Sequence, residues 1–207
     1  MLFKSFSEKI NTTLGRLSPA RRIFLSFALV ILAGSLLLSL PFVQATSSQA
    51  TYFDHLFTAV SMVCVTGLFT QPVATTYNIW GQLICMFLIQ IGGLGLMTFI
   101  GVFYIQSKQK LSLRSRETIL ESFSYGETQS LMVFIRSIFL TTFIVEGLGA
   151  FLLSFRFVPE FGWGRGIFTS IFVAISAFCN AGFDNFGSTS LVAFQTDPLI
   201  NLVLAAL

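Results

Sequence analysis

Phe53 to Leu68 reads FDHLFTAVSMVCVTGL, and Phe168 to Phe183 reads FTSIFVAISAFCNAGF; the two align without a gap at an offset of 115 residues. Phe53/Phe168, Phe57/Phe172, Ala59/Ala174, Ser61/Ser176, Cys64/Cys179 and Gly67/Gly182 are identical, and Leu56/Ile171 and Val60/Ile175 are close. The same offset carries residues 23–40 onto 138–155. It also carries the apolar run from Ile79 onto the end of the chain. An internal repeat of this kind has to be found before any fold is assigned. Here the unit is a long apolar run, a short apolar run ending in Gly, and a second long run, which places both units the same way up.

The long runs read as membrane spans, because crossing the hydrocarbon takes roughly 20 apolar residues as a helix. They are 23–40, 79–105 and 131–155, with a shorter one at 198–207. Asp197 suits a helix cap and Pro198 the first helical position. Composition agrees: 54% of the 207 residues are hydrophobic and only 10% are charged, against about 25% charged in ordinary soluble domains. Cys64, Cys85 and Cys179 form no CxxC pair, so neither zinc nor a disulfide framework is indicated. The 22-residue lead-in and 18-residue first run are long for a signal peptide.

Lys4, Lys9, Arg16, Arg21 and Arg22 precede the first span, and Lys108, Lys110, Arg114 and Arg116 follow the second. Between Pro41 and Ser107 there is no Lys or Arg. The positive-inside rule therefore puts residues 1–22 and 106–130 in the cytoplasm. The net charge of +3 comes from these inner loops, so it reports orientation and not nucleic-acid binding. One His, no HExxH, no GxSxG and no paired carboxylates leave an enzyme without a foothold.

The short runs, expected as helices 52–63 and 166–178, are too short to span. Each is either a helix lying on the outer surface or a re-entrant helix returning as extended chain. Irregular backbone is tolerated at membrane depth only where it is buried or lines a watery cavity. A single Gly after a helix is most simply a C-cap. Two copies at matched depth favour an ion path, in which backbone carbonyls replace an ion's hydration shell.

AVSMVCVTGLF (Ala59 to Phe69), IQIGGLGLMTF (Ile89 to Phe99) and ISAFCNAGFDNF (Ile175 to Phe186) together resemble the potassium-translocating subunit of the Trk/Ktr/HKT superfamily, closest to the Trk/Ktr type. The resemblance implies an all-α membrane protein of tandem span–pore helix–span repeats with re-entrant pore loops, of which this chain carries about two of four. The first repeat would be 23–105 with its filter at 63–68, and the second, incomplete, 131–207 with its filter at 178–183. Filter residues would be Cys64, Val65, Thr66, Gly67 and Leu68, and Cys179, Asn180, Ala181, Gly182 and Phe183. Val65, Thr66, Asn180 and Ala181 would offer carbonyls to K+. A Gly and not a Ser at position 67 argues against Na+ permeation.

The same likeness implies K+ uptake, with Na+ as a possible coupling ion and no other cofactor. It implies a multi-pass protein of the bacterial plasma membrane, a homodimer when complete, on a cytoplasmic nucleotide-binding regulatory subunit that residues 106–130 could touch. With two repeats missing, the chain is expected to be the amino-terminal half of a longer protein. The alternative is a truncated, transport-inactive membrane protein that pairs with a complementary half. Gly92, Gly93 and Gly95 read as close-packing positions in the second span. Glu146, the acid within a span, is either functional or wetted at the outer end. Asp54 suits the start of the first short helix, and Asp54 and Asp184 could also draw cations to the mouth.

Overall fold

A computed structural model describes residues 19–95 and 128–207. Residues 30–95 and 137–207 form one compact unit. The described parts of the other unit, 19–29 and 128–136, are helical. The elements of the described residues are helices, joined by turns and irregular segments, with one isolated antiparallel bridge between Gln44 and Tyr77.

Helix α1 (Pro19–Leu38) opens on Pro, whose missing N–H costs nothing at a first position. Leu25, Leu29, Leu32 and Leu36 line one exposed face at helical spacing, while Ser35 and Leu38 are fully buried. Pro41, which has no N–H to continue a helix, begins a 3-10 turn through Val43. After it the chain pairs Ala45 N–H with Thr76 C=O (3.0 Å) and Asn78 N–H with Val43 C=O (3.0 Å). Short helix α2 (Tyr52–Val63) lies inside that closed loop.

Helix α3 (Ile79–Leu94) starts at Asn78, whose Oδ1 accepts the N–H groups of Trp80 (2.9 Å) and Gly81 (3.2 Å). It stops at Gly95, which takes φ +77 with open space around its missing side chain. Gly95 is therefore a helix terminator and not a packing position. Gly92 and Gly93 do pack closely. A Cβ on Gly92 would lie 2.6 Å from the Val63 carbonyl, and one on Gly93 would lie 2.4 Å from Cys179 Sγ. The part of the second span expected beyond Gly95, residues 96–105, lies outside the described residues, as does the loop 106–127.

Helix α4 (Thr128–Phe161) is longer than the expected span and carries Pro159 in its last turn. A single residue, Gly162 at φ +81, turns the chain into α5 (Trp163–Phe178). The expected bounds, a span ending at 155 and a short helix starting at 166, make 156–165 a connection; in the structure helix fills all of it but Gly162. The tight turn works because Gly166 lets α5 press on α4, where a Cβ would lie 2.6 Å from the Phe157 carbonyl. A 3-10 turn (Ser190–Phe194) precedes α6 (Pro198–Ala206). Asp197 caps α6 by accepting from Leu199 and Ile200 N–H, and its other oxygen meets Arg156 Nε at 2.8 Å.

One core cluster joins Leu153 and Phe157 of α4, Val173 and Ala174 of α5, and Ile200 and Val203 of α6. Opposite it, α4 exposes Leu140, Phe143, Ile144, Leu148, Phe151 and Phe155. So large an apolar surface is foreign to a soluble monomer. Arg136–Phe161 is, among the described residues, the one helix long and apolar enough to cross a membrane by itself.

Candidate functional site

The two short helices end in the same way, atom for atom. At the end of α2, Thr66 N–H reaches Ser61 C=O (2.9 Å) and Val65 N–H reaches Met62 C=O (3.3 Å). At the end of α5, Ala181 N–H reaches Ser176 C=O (2.7 Å) and Asn180 N–H reaches Ala177 C=O (2.9 Å). This is the paired closure of a Schellman cap. Its left-handed position falls on Val65 (φ 56) and Asn180 (φ 53), not on the glycines. Asn tolerates that region, but a β-branched Val there is an outlier. Strain of this kind costs about 1–3 kcal/mol and persists only where the surroundings enforce it.

Gly67 (φ 75) and Gly182 (φ 70) come two residues later, beyond the caps. The reading of these glycines as simple helix caps is thereby removed: the cap is complete without them. Their positive φ belongs to the loop that follows. Each loop is tied back to its helix by a serine hydroxyl. Ser61 Oγ accepts Leu68 N–H at 2.9 Å, and Ser176 Oγ accepts Phe183 N–H at 2.8 Å. Both serines are identical in the sequence alignment, yet sequence reasoning gave them no role. A hydroxyl conserved between two internal copies at the last turn of an apolar helix was the available signal.

The loops meet backbone to backbone. A Cβ on Gly67 would sit 3.0 Å from the Ala181 carbonyl oxygen, and one on Gly182 would sit 3.5 Å from Gly67 Cα. The Phe69 and Phe183 rings lie 6.3 Å apart just beyond. Among the described residues, no hydrogen bond is accepted by the carbonyls of Val65, Thr66, Gly67, Asn180, Ala181 or Gly182. Cys64, Thr66, Leu68, Asn180 and Gly182 are exposed, and Val65 and Gly67 are half-buried. Cys179, Ala181 and Phe183 are buried, Cys179 against Gly93 of α3.

The outer ends are held by polar side chains. Asp54 Oδ2 accepts Thr51 N–H and the Thr51 hydroxyl, both at 2.7 Å, which caps the start of α2. Its Oδ1 accepts the Thr70 hydroxyl at 2.7 Å, so the start of α2 grips the chain leaving the first loop. The Thr70 and Thr51 hydrogen bonds hold the Asp54 carboxyl down at about 2. Next to it, His55 is buried, and burial pushes its pKa below the ordinary value against the pull of Asp54. Gln44 Nε2 can only donate, so His55 Nε2 (3.2 Å) accepts and His55 Nδ1–H donates to Tyr77 Oη at 2.9 Å. Asp184 is folded into its own turn, accepting Phe186 N–H at 2.9 Å and the Ser190 hydroxyl.

Glu146 is buried in the protein and not wetted. Both of its oxygens accept from Gln90 Nε2, at 2.7 and 2.6 Å.

The chain matches the family model described as TrkH, cation transport protein, over residues 21–207. It is 42% identical to the potassium/sodium uptake protein NtpJ of Enterococcus hirae over 192 residues, 93% of this chain and 42% of that protein. It is 37% identical, with the same coverage, to Ktr system potassium uptake protein B of Bacillus subtilis. To the protein of that name in Vibrio alginolyticus it is 38% identical over 187 residues, 90% of this chain and 40% of the other. The chain thus spans about two fifths of the length of these relatives. Matched from residue 21 to 207, it is a membrane protein that belongs to the TrkH family of cation transport proteins.

Proposed function

We propose that the chain supplies two of four sides of a potassium-selective path across the bacterial plasma membrane, with Gly67 and Gly182 as filter glycines. The observation that carries this reading is the duplicated backbone. Left-handed Val65 and Asn180 complete the two helix caps, and positive-φ Gly67 and Gly182 follow beyond them in loops that converge. The carbonyls of Val65, Thr66, Gly67, Asn180, Ala181 and Gly182, free of donors among the described residues, can replace part of an ion's hydration shell, within filters at Cys64–Leu68 and Cys179–Phe183. Each short helix directs its C-terminal dipole end at the same place, which favours a cation.

The relatives named for potassium uptake support K+ as the transported ion, and the name of the Enterococcus hirae protein adds Na+. The remaining sides come from further repeats on the same or a complementary chain. In the complete assembly we place the N-terminus and residues 106–130 in the cytoplasm, against a nucleotide-binding regulatory subunit, with a homodimer as the working form.

Rubidium uptake tests this in a bacterial strain stripped of its own potassium-uptake systems. The chain replaces the matched two fifths of the Enterococcus hirae relative. Uptake and growth on low potassium are expected from the unmodified fusion. Gly67→Ser and Gly182→Ser should each cut uptake at least tenfold, since a left-handed position alone costs an L-residue about 1–2 kcal/mol, and at Gly67 a carbonyl blocks the added Cβ. Full growth by both variants would sink the filter assignment.

A further inference from the structure

A line of buried polar side chains runs from the middle of α4 to the second loop. Gln90, on α3, is 9% exposed and Glu146, on α4, is 5% exposed. The Gln90 amide nitrogen serves both Glu146 oxygens, and its Oε1 accepts Cys179 Sγ–H at 3.3 Å. The amide orientation is therefore fixed, nitrogen to the carboxylate and oxygen to the thiol. Cys179 is the last residue before the left-handed Asn180. Eight residues before Gln90 on the same helix, Gln82 Oε1 accepts Asn185 Nδ2 at 3.1 Å. Two glutamines roughly 12 Å apart along α3 thus hold the two ends of the second loop.

Among the described residues, the first loop has no such brace. At the 115-residue offset, Ile31 stands where α4 has Glu146, and Ala205 stands where α3 has Gln90. Cys64, the counterpart of Cys179, is exposed, whereas Cys179 is buried. The first loop is held instead by Thr70 on Asp54. A carboxylate buried in a span carries a heavy desolvation cost, and a lone apolar brace could have filled the space without it. Its presence behind the second loop, where an apolar side chain would be less costly, points to a function at that side.

We infer that Gln90 and Glu146 are positioning residues for the second loop: Glu146 fixes the Gln90 amide, and Gln90 fixes Cys179 and hence the carbonyls of Asn180 and Ala181. This rests on the reading of that loop as one side of the ion path. The pair also sets a buried amide and carboxyl behind that side, so its loss should alter which cation is preferred and not merely how much protein is made.

Two measurements on one set of variants test it. The first needs no transport: the rate at which maleimide labels Cys179 in the full chain reconstituted into phosphatidylethanolamine/phosphatidylglycerol vesicles, with Cys64 and Cys85 changed to Ala. Gln90→Leu and Glu146→Leu should raise that rate at least tenfold, because the thiol loses the acceptor that holds it in the core. The swap Gln90→Glu with Glu146→Gln keeps one carboxyl, an amide donor to it, and an acceptor for Cys179. It should label as slowly as the parent, while Gln90→Glu alone, which sets two carboxylates together, should not. Labelling unchanged in both Leu variants, or a swap no better than Gln90→Glu alone, overturns the inference.

The second is the ratio of rubidium to sodium uptake in the fusion described above. The Leu variants should lower the ratio severalfold and the swap should restore it. Uptake of both ions falling in proportion would mean a structural role only and would overturn the positioning role. An unmodified fusion that carries neither ion overturns the ion-path reading instead, and the labelling result then decides alone whether the brace exists.

Discussion

Gly92 offers the sharpest test of how α3 meets the first short helix. A Cβ added there would lie 2.6 Å from Val63 O, 2.7 Å from Met62 O and 3.0 Å from Val63 C. These are backbone atoms at the capped end of α2, and the Met62 carbonyl is already engaged by Val65 N–H. No rotamer change can relieve the overlap, so α2 or α3 has to shift by several tenths of an ångström. Overpacking of this kind costs about 1–3 kcal/mol, and a Gly-to-Ala change inside a helix returns roughly 1 kcal/mol. Gly92→Ala should therefore come out near neutral at best and about 2 kcal/mol destabilising at worst. Gly147→Ala is the control, since its Cβ meets nothing within 4 Å in the middle of α4 and only the helix gain remains. For a chain of this length about 2–4 °C of Tm corresponds to each kcal/mol. The two variants then differ by about 1–3 kcal/mol, and thermal unfolding in the same detergent should separate them by roughly 2–12 °C, Gly147→Ala the higher. The difference also has a location: Gly92→Ala should disturb the first loop, raising maleimide labelling of Cys64, while Gly147→Ala should not. Equal Tm values with unchanged Cys64 labelling would refute the contact between α3 and the end of α2.

Three further outcomes follow from the outer end of the same unit. Ser61→Ala and Ser176→Ala each strip the hydroxyl from a loop N–H and should cost about 1–3 kcal/mol; hydrogen exchange should then rise at Leu68 in the first and at Phe183 in the second. Asp54 has a folded pKa of about 2 against an ordinary 3.8, so its stabilisation is complete above about pH 4 and drains away as pH falls toward 2. Tm followed from pH 6 to pH 2 should drop less steeply in Asp54→Asn than in the parent. His55 has the opposite charge type but the same direction of dependence: its folded pKa is lowered by burial, so the neutral ring is fully stabilising above the ordinary 6.5 and loses ground as pH falls below it. His55→Gln should flatten the Tm profile between pH 7 and pH 5, and a steeper profile would contradict the neutral, Nδ1-protonated ring.

How far the sequence foretold these features depended on how locally each is encoded. The starts of α2 and α6 follow from residues at or just before the first turn: Thr51 and Asp54 for one, Asp197 and Pro198 for the other. The boundary between α4 and α5 did not, because Pro159 and Gly162 look like a loop until Gly166 is seen to bring the helices together. The glycine-rich run in α3 was readable only as a group. Separating Gly92 and Gly93, which face backbone and thiol, from Gly95, which ends the helix, required knowing what stood opposite each.

Gln90 shows the limit and also the remedy. Its partners lie 56 and 89 residues away, so no local pattern could name them. Yet an amide in the middle of an apolar helix has to satisfy two donors and an acceptor without water. Glu146, the acid within a span, had the same unmet need, and an acceptor-only carboxylate is best matched by a donor-bearing amide. Two such groups in separate spans are each other's most economical partners, and their pairing was deducible from chemistry alone. What chemistry alone could not place was the third member. The Cys179 thiol is satisfied by the amide oxygen only because Gly93 leaves room for sulfur against α3. A single missing methyl group thus lets a buried amide–carboxyl pair reach the loop proposed to select the ion.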